Sequence, residues 1–211
     1  MAIQFDVASS GFVNSNTTLT YSHTCTGGNR ILFVFAEVVN AASHTITGIT
    51  YDSVAMTKID DNRSGTSSNY ASLWYLLSPS EGSNSVVVTS SQSVNQIYST
   101  STSYVGAKQA GQPDSDNEYT ATSGTSKTLS TMVVAGQSWL IMGLIHDDAS
   151  AAAAGAGTKL RALVSRNEIF DSNSAKDTGS QSLSVTSISG NQMGIIASFA
   201  PAPSTFTSVI V

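Results

Sequence analysis

The residues best suited to chemistry in this chain are acidic side chains in polar segments. The most regular set is Asp114, Asp116 and Glu118, which alternate with polar residues in the stretch DSDNE. Carboxylates in loops are the oxygen ligands that calcium prefers. The stretch lacks the glycine and the closing glutamate of a complete calcium loop. It therefore predicts a solvated turn, with a weak calcium site as the alternative, and we expect no other metal and no cofactor.

The motifs of the chain do not support enzymatic chemistry. A serine hydrolase needs a serine on a constrained turn with a histidine and an acid in reach, but the sequence contains no GxSxG, HExxH or nucleotide-binding glycine loop. His23, His44 and His146 are far apart in the chain, and we expect each to make an ordinary hydrogen bond. The chain is therefore not predicted to be an enzyme.

Two kinds of glycan chemistry remain as alternatives. Cleavage would need two carboxylates converging in a cleft at about 5 to 10 Å, and Glu37 is the acid to inspect because it interrupts a strongly apolar run. A glutamate at a strand end or sheet edge is the simpler interpretation. Sugar binding would need an exposed ring. Trp74 and Tyr75 are adjacent in a predicted strand, so one should face inward and the other outward, and Tyr75 or Tyr70 is the candidate ring.

Charge excludes several classes of partner. The chain has 9 basic and 14 acidic residues, a net charge of -5, and no window that gathers Lys or Arg into a patch. This argues against nucleic acid or an anionic membrane as the main partner. Ser and Thr number 60 by count, against 23 charged residues. Hydroxyl groups are therefore expected to keep the surface hydrated.

The cysteine content and the lengths of the apolar runs indicate where the protein is synthesised and whether it is exported by a signal. Cys25 is the single cysteine, so no internal disulfide forms, and we expect a small apolar residue at a strand end. The first residues lack the basic start and apolar core of a signal peptide. No run reaches the length that spans a membrane. We expect synthesis in a cytoplasm without export by a signal.

Short runs rich in Val, Ile, Thr and aromatic residues, bounded by Gly, Asn, Ser or Asp, are typical of β-strands. Their spacing near ten residues predicts an all-β sandwich or barrel in a single domain over 1–200, followed by a proline-led hydrophobic tail over 201–211. The alanine tract at 149–156 fits a short helix or a loop. The predicted strands are 3–7, 17–24, 31–39, 46–51, 54–58, 71–77, 85–90, 97–105, 127–132, 139–145, 160–169, 182–187 and 192–199.

Burial can also be predicted from these runs. Residues 31–35 and 139–145 are apolar on both faces and should lie in mid-sheet. Within residues 98–105, small hydroxyl residues occupy one or both faces of the predicted strand. This predicts that at least one face of the strand is exposed to solvent. The residues around Leu19 and those around Leu129 are weakly similar, and each set precedes one of the two apolar runs. Two hairpins of a double sandwich would give such an internal similarity, and so would chance.

Several segments carry a familiar pattern: SHT at 22–24, GNRILFV at 28–34, ITGITYD at 46–52, AMT at 55–57, LWYL at 73–76, Pro79, Gly82 and VVV at 86–88. Together they resemble the jelly-roll sandwich modules of phage virion proteins and bacterial surface proteins. The likeness is closer in the first half of the chain than in the second. It implies an all-β, jelly-roll-like antiparallel β-sandwich that belongs to an extracellular particle or surface, and it transfers no catalytic or binding residue.

These observations lead to one function and one alternative. We expect a structural virion protein, a capsid decoration or cement protein on the outside of a tailed-phage head, which joins a hydroxyl-rich surface to the absence of a signal peptide. Its partner would be the major capsid protein or another virion protein. The alternative is a carbohydrate-binding receptor module of a phage fibre or bacterial surface protein. A host protein exported without a signal, or a domain of a longer surface protein, would give the same sequence.

The end of the chain predicts an assembly contact. Residues 205–211 carry no charge and follow Pro201 and Pro203, which keep the backbone extended. Such a segment is costly to leave in water and is suited to pairing with a sheet edge. We expect it to contact a neighbouring chain, with a homotrimer favoured, or the capsid shell. The contact residues would be Phe206, Val209, Ile210 and Val211.

Overall fold

The β-prone runs form the predicted strands in a computed structural model that describes residues 1–39, 43–64, 69–121, 123–148 and 150–203. Within these ranges the chain is an all-β, jelly-roll-like antiparallel sandwich, as expected from the sequence. The strands are β1 (Gln4–Cys25), β2 (Ile31–Val39), β3 (Ile46–Tyr51), β4 (Val54–Ala55), β5 (Thr57–Arg63), β6 (Tyr70–Leu77), β7 (Gly82–Val105), β8 (Ser115–Ala121), β9 (Ser126–Val133), β10 (Trp139–His146), β11 (Ala153–Ala154), β12 (Lys159–Val164), β13 (Asn167–Asp171), β14 (Gly179–Thr186) and β15 (Gln192–Phe199).

The first half of the chain, β1 to β7, forms one sheet that folds over on itself. Its order is β4-β3-β7-β2-β6-β5, and β1 pairs with β7 along nearly its whole length. Residues 86–90 of β7 pair with β3, whereas residues 96–104 pair with β2. The two ends of β7 therefore belong to two layers. Leu32 and Val34 of β2 share a core with Ile49 of β3 and Val88 of β7, which we call the first core.

The second half contains two sheets. One has the strand order β12-β13-β10-β15-β8 and the other the order β11-β14-β9. Leu140 and Met142 of β10 pack with Leu129 of β9 and Leu183 of β14 in what we call the second core. Leu19 of β1 shares the first core with β2, and Leu129 of β9 shares the second core with β10. The two hairpins that the internal similarity suggested are not formed, because β1 pairs with β7 and β9 pairs with β14.

A central core joins the two halves. Phe33 and Phe35 of β2 face the five-stranded sheet, where they meet Ile141 and Phe199, and the ring centroids of Phe33 and Phe199 lie 4.9 Å apart. Position 143 must be glycine because a Cβ there would overlap the ring of Phe35. The strands β2 and β10 are buried on both faces, which confirms the prediction for these two apolar runs.

Several strand boundaries differ from the prediction. The runs at 3–7 and 17–24 belong to one strand, β1, and those at 85–90 and 97–105 belong to β7. The run at 160–169 instead splits into β12 and β13 at a turn where Ser165 has a positive φ of 55°. The alanine tract contributes only the short strand β11, and the described part of the chain contains no helix. Accordingly, it offers no helix of a length and apolarity suited to crossing a membrane.

Candidate functional site

An apolar groove of about 640 Å³ lies where the first and last described residues meet. Ile3, Trp139 and Ala200 are buried and form its floor, whereas Ala135 and Pro203 are more exposed and form its rim. The groove is therefore built mainly from the residues before β1, the segment after β9, the start of β10 and the segment after β15. Its size is in the range of ordinary ligand and peptide sites.

Backbone contacts hold the walls of the groove together. Pro201 forms an antiparallel bridge with Ala107. The N–H of Ala202 donates to the carbonyl of Gly106 at 2.7 Å, and the amino group of Met1 donates to the carbonyl of Ala202 at 3.1 Å. Gly106 has a φ of +77°, and a Cβ there would overlap the carbonyl oxygen of Ala2. A glycine is required at this position for both reasons, so the groove has a fixed shape.

A buried glutamine secures the chain that leaves β15. The side chain of Gln112 donates to the carbonyl of Ala200 at 2.9 Å and accepts from its N–H at 3.1 Å. Lys108 donates its own N–H to the same carbonyl at 2.9 Å. The direction in which the chain approaches Pro201 is thereby determined by three hydrogen bonds.

Exposed apolar side chains extend the groove. Of the six large apolar side chains that are exposed in the described part of the chain, three are Met1, Met132 and Val134, with exposures of 65%, 54% and 65%. Met1 lines the groove, and Val134 precedes the rim residue Ala135. We call the groove together with Met1, Met132 and Val134 the apolar face. Met132 lies two residues before Val134 and lines a second, smaller concavity. Exposed large apolar side chains next to a groove in the chain mark a candidate interaction site.

The structure divides the acidic triplet between a loop residue, Asp114, and two strand residues, Asp116 and Glu118. Asp114 accepts hydrogen bonds from the N–H groups of Val134 and Ala135 at 3.3 and 3.2 Å and from the hydroxyl of Ser198. It therefore organises the apolar face. Asp116 and Glu118 lie on β8, where burial and the nearby Asp60 raise the pKa of both side chains. Among the described residues, no group of three or more His, Cys, Asp or Glu side chains is arranged to hold a metal.

Glu37 is neither at a sheet edge nor at a strand end. It lies on β2 between β6 and β7 and is fully buried. The side chain of Asn69 donates to its Oε1 at 3.0 Å, and a guanidinium nitrogen of Arg166 lies 3.7 Å from the same oxygen. Its Oε2 has no hydrogen-bond partner. Burial raises the pKa of Glu37 to about 7, although Arg166 acts to lower it.

A second buried acid lies on the other side of the five-stranded sheet. Glu168 of β13 accepts the N–H of Ala152 at 2.9 Å, and its other oxygen lies 3.5 Å from Nε2 of His146. Strand alternation places Glu168 with Phe170 in the second core, whereas Glu37 faces the central core. The two acids therefore do not converge in one cleft, and neither lines the groove or the smaller concavity beside Met132. The sequence did not single out Glu168, because a lone acid in a mixed strand carries no motif.

A polar cluster is enclosed where β1 folds over β7. Nδ1 of His23 lies 2.9 Å from the hydroxyl of Ser9 and 3.1 Å from that of Ser101, and the hydroxyl of Ser103 donates to Asp6 at 2.8 Å. Residues 99–103 are fully buried, so the predicted wet side is wrong. Pairing with β1 on one edge and β2 on the other covers this strand. Burial lowers the pKa of His23 to about 4.

The histidines and the cysteine match expectation in part. His23 makes the expected hydrogen bonds, but neither ring nitrogen of the buried His146 has a hydrogen-bond partner. Cys25 is a buried, free residue at the end of β1, as predicted. Burial raises the pKa of its thiol.

The predicted sugar-binding rings are not exposed platforms. Tyr70 and Trp74 are buried in the first core, and Tyr75 is partly buried against the central core. Both faces of β6 therefore pack against a core. The expectation that one of Trp74 and Tyr75 faces solvent is wrong for this reason. Among the described residues the exposed ring is that of Phe12, which is 54% exposed and stacks on Tyr98 with 5.9 Å between centroids.

The predicted contact residues Phe206, Val209, Ile210 and Val211 lie outside the described residues. The described chain stops at Pro203, on the rim of the groove. No protein-family model matches the sequence, and no curated protein is significantly similar to it.

Proposed function

We propose that this protein is a capsid decoration protein that binds the outside of a tailed-phage head and stabilises the shell. The observation that carries the proposal is the apolar face. Its groove has a fixed shape, and Met132 and Val134 beside it expose more than half of their surface. A cement protein works by burying area against and between shell subunits. The partner is the major capsid protein, and the copies act as a homo-oligomer, with a trimer favoured.

The rest of the molecule suits a passive adhesive. Three apolar cores, together with strands such as β10, β13 and β15 that are buried along their whole length, make a rigid body. A rigid surface loses little conformational entropy on binding, so more of the buried apolar area contributes to affinity. The small number of charged side chains also limits the polar groups that must be desolvated at the shell.

The test uses purified heads of a tailed phage that encodes this protein. Heads lacking the protein should release DNA at a lower temperature, and added wild-type protein should restore the original release temperature. The double variant Met132→Glu/Val134→Glu should fail to restore it, because buried unpaired carboxylates oppose binding. A matched control, Val54→Glu/Leu163→Glu, changes two exposed apolar residues that lie outside the apolar face. Equal restoration by both double variants, or unchanged survival of heads without the protein, would refute the proposal.

A second function is favoured by one observation, the exposed ring of Phe12. Amide side chains lie beside it, since Gln96 donates to Asn14 at 3.3 Å, and a ring flanked by amides is suited to stacking on a sugar. In this case the protein would be a carbohydrate-binding receptor module of a fibre or surface protein. A glycan array should then show binding by the wild type that Phe12→Ala abolishes. Absence of binding by the wild type would dismiss this alternative.

A further inference from the structure

We propose that the groove of each copy binds residues 204–211 of a second copy. The inference rests on the proposed function in one respect, since it takes the apolar face as an assembly surface. It goes further by assigning an occupant to the groove and by naming the contact that joins the copies.

The chemistry of the groove matches that of the segment. Among the described residues that line it, the only charged groups are the Lys108 side chain and the amino group of Met1, and the floor is apolar. Residues 204–211 have the sequence STFTSVIV, which contains four large apolar side chains and no charged side chain. Burying this segment therefore places no unpaired side-chain charge in the groove, and the hydroxyls of its Ser and Thr residues can remain at the rim.

The position of the segment supports the same conclusion. Pro203 lies on the rim, so residues 204–211 leave the described body directly at the groove. Eight extended residues reach at most about 29 Å. A segment of this length can cross into a neighbouring molecule that packs against the apolar face.

The composition of the segment suits binding as an added strand. Pro201 is tied to Ala107, and Ala202 is restricted to an extended conformation because it precedes Pro203. Residues 204–211 contain no Gly, Asn, Asp or Pro, and five of the eight are β-branched, a composition typical of strands rather than of tight turns. A second copy offers such a segment a groove without a turn back towards the chain from which it starts.

Such an exchange also explains how copies would close into an oligomer. A tail bound in the groove of the next copy is a head-to-tail contact, and repetition of one such contact closes into a ring when the rotation allows it. A ring of three copies agrees with the favoured trimer.

The experiment uses disulfide cross-linking of full-length chains. Ala175 is exposed and lines the groove, so Ala175→Cys places a thiol there, and Ile210→Cys places one in the segment. The native Cys25 is fully buried and does not compete. The control for the groove position is Ser93→Cys, which is exposed on β7 away from the groove.

Mixing the Ala175→Cys and Ile210→Cys proteins and oxidising them should give a covalent dimer. Its yield should exceed that of the Ser93→Cys and Ile210→Cys mixture by about tenfold, because binding raises the local concentration of the two thiols. The double variant Ala175→Cys/Ile210→Cys should give covalent oligomers. If the double variant forms only a monomer with an internal disulfide, the segment occupies its own groove and the inference is wrong. Equal yields in both mixtures would also overturn it.

The result is independent of the capsid. Cross-linking without heads and failure on heads would leave the exchange standing and remove the decoration role. If the protein restores the heads but does not cross-link, the decoration role stands and the exchange of segments between copies is ruled out. Light scattering gives a second measurement, since Ile210→Asp should reduce the mass of the full-length protein to that of one copy. An unchanged oligomer mass in this variant would contradict the inference.

Discussion

Glu37 shows how one buried side chain can make stability depend on pH. Its pKa of about 7 in the folded protein lies above the usual 4.5 because burial disfavours the charged carboxylate. Between pH 4.5 and about 7 the carboxyl group therefore stays protonated in the folded protein, whereas it has lost its proton in the unfolded chain. This contribution to stability is complete below pH 4.5 and is lost as the pH rises through 7, and it amounts to about 3 kcal/mol.

His23 acts in the opposite direction over an overlapping range. Its pKa of about 4 lies below the usual 6.5 because burial disfavours the imidazolium. Its contribution is complete above pH 6.5 and is lost as the pH falls towards 4. Between pH 4.5 and 6.5 the two side chains nearly cancel, so this pair alone would give the wild type a flat stability curve there and a decline above it.

We predict that Glu37→Gln separates the two effects. As far as this pair is concerned, its free energy of unfolding should rise from pH 4.5 to 6.5, because of the two side chains only His23 still titrates, and it should then stay level up to pH 8. Relative to pH 4.5, the variant should gain about 3 kcal/mol over the wild type by pH 8. Urea unfolding at these three pH values measures this difference. Glu81→Gln is the control, since the side chain of Glu81 is 69% exposed. If Glu37→Gln follows the same pH curve as this control, Glu37 does not titrate as described.

At the scale of single residues the sequence indicates some environments but not their partners. Glu37 stands out because it interrupts an apolar run. Arg166 and Asn69, which meet it, are more than thirty positions away in the chain and in different parts of the fold. Asp114 was part of an apparent calcium pattern, yet two N–H groups of the segment after β9 bind it instead. Such partners come from strand order, which local patterns do not encode.

At the scale of elements, β7 is the strand whose burial was predicted least well. Its hydroxyl residues have the alternation of a strand that faces water, but β1 and β2 cover both edges of residues 96–104 and both faces are buried. Small hydroxyl side chains fit between closely packed layers and can hydrogen-bond to neighbouring strands. Composition alone does not distinguish this use of Ser and Thr from surface exposure.

Two threonines on the same face of β7 give a matched prediction. Thr100 donates to the buried Oδ1 of Asn167 at 2.7 Å, whereas the hydroxyl of Thr102 has no hydrogen-bond partner. Thr100→Val should lower the free energy of unfolding by about 1 to 3 kcal/mol, because it leaves a buried carbonyl unpaired. Thr102→Val should be neutral or slightly stabilising, because it removes an unpaired hydroxyl at similar volume. Urea denaturation of both variants gives the comparison, and equal losses would contradict this assignment.

The strand β8 shows why a further element was missed. Its sequence SDNEYTA is polar, and it forms the edge of the five-stranded sheet. Asn117 donates to the carbonyl of Ser130, and Thr120 donates to Asn62. β8 therefore contacts β9 on one side and β5 on the other mainly through polar side chains. A strand held in this way lacks the apolar alternation by which strands are recognised.

At the scale of the whole molecule, the number of cores could not be predicted. Apolar residues on both faces of β2 and β10 show that each strand lies between two layers. They do not show that the face of β2 that carries Phe33 and Phe35 packs against the second half of the chain. That contact depends on shape, since the ring of Phe35 packs where Gly143 leaves room. The sandwich class follows from periodicity, whereas the pairing of the two halves follows from this fit.

The shared central core predicts that the two halves unfold together. Each half contributes large side chains to it, so loss of either half would expose Phe33, Phe35 and Phe199 to water at a cost of about 1.5 to 3 kcal/mol for each side chain. A partly folded molecule is therefore unfavourable, although each half also has a core of its own. The two tryptophans allow a direct test, because Trp74 reports on the first core and Trp139 on the start of β10.

We predict that substitutions in one half shift the transition reported by the other. Trp139→Phe leaves Trp74 as the only fluorescent tryptophan, and Trp74→Phe leaves Trp139. In the Trp74 reporter, Leu183→Ala in the second core should lower the free energy of unfolding by about 2 to 5 kcal/mol. In the Trp139 reporter, Val34→Ala in the first core should move the urea midpoint as far as it does in the Trp74 reporter. If each substitution shifts only the fluorescence transition of its own half, the two halves unfold separately. The apolar side chains of the central core would then not couple the stabilities of the two halves.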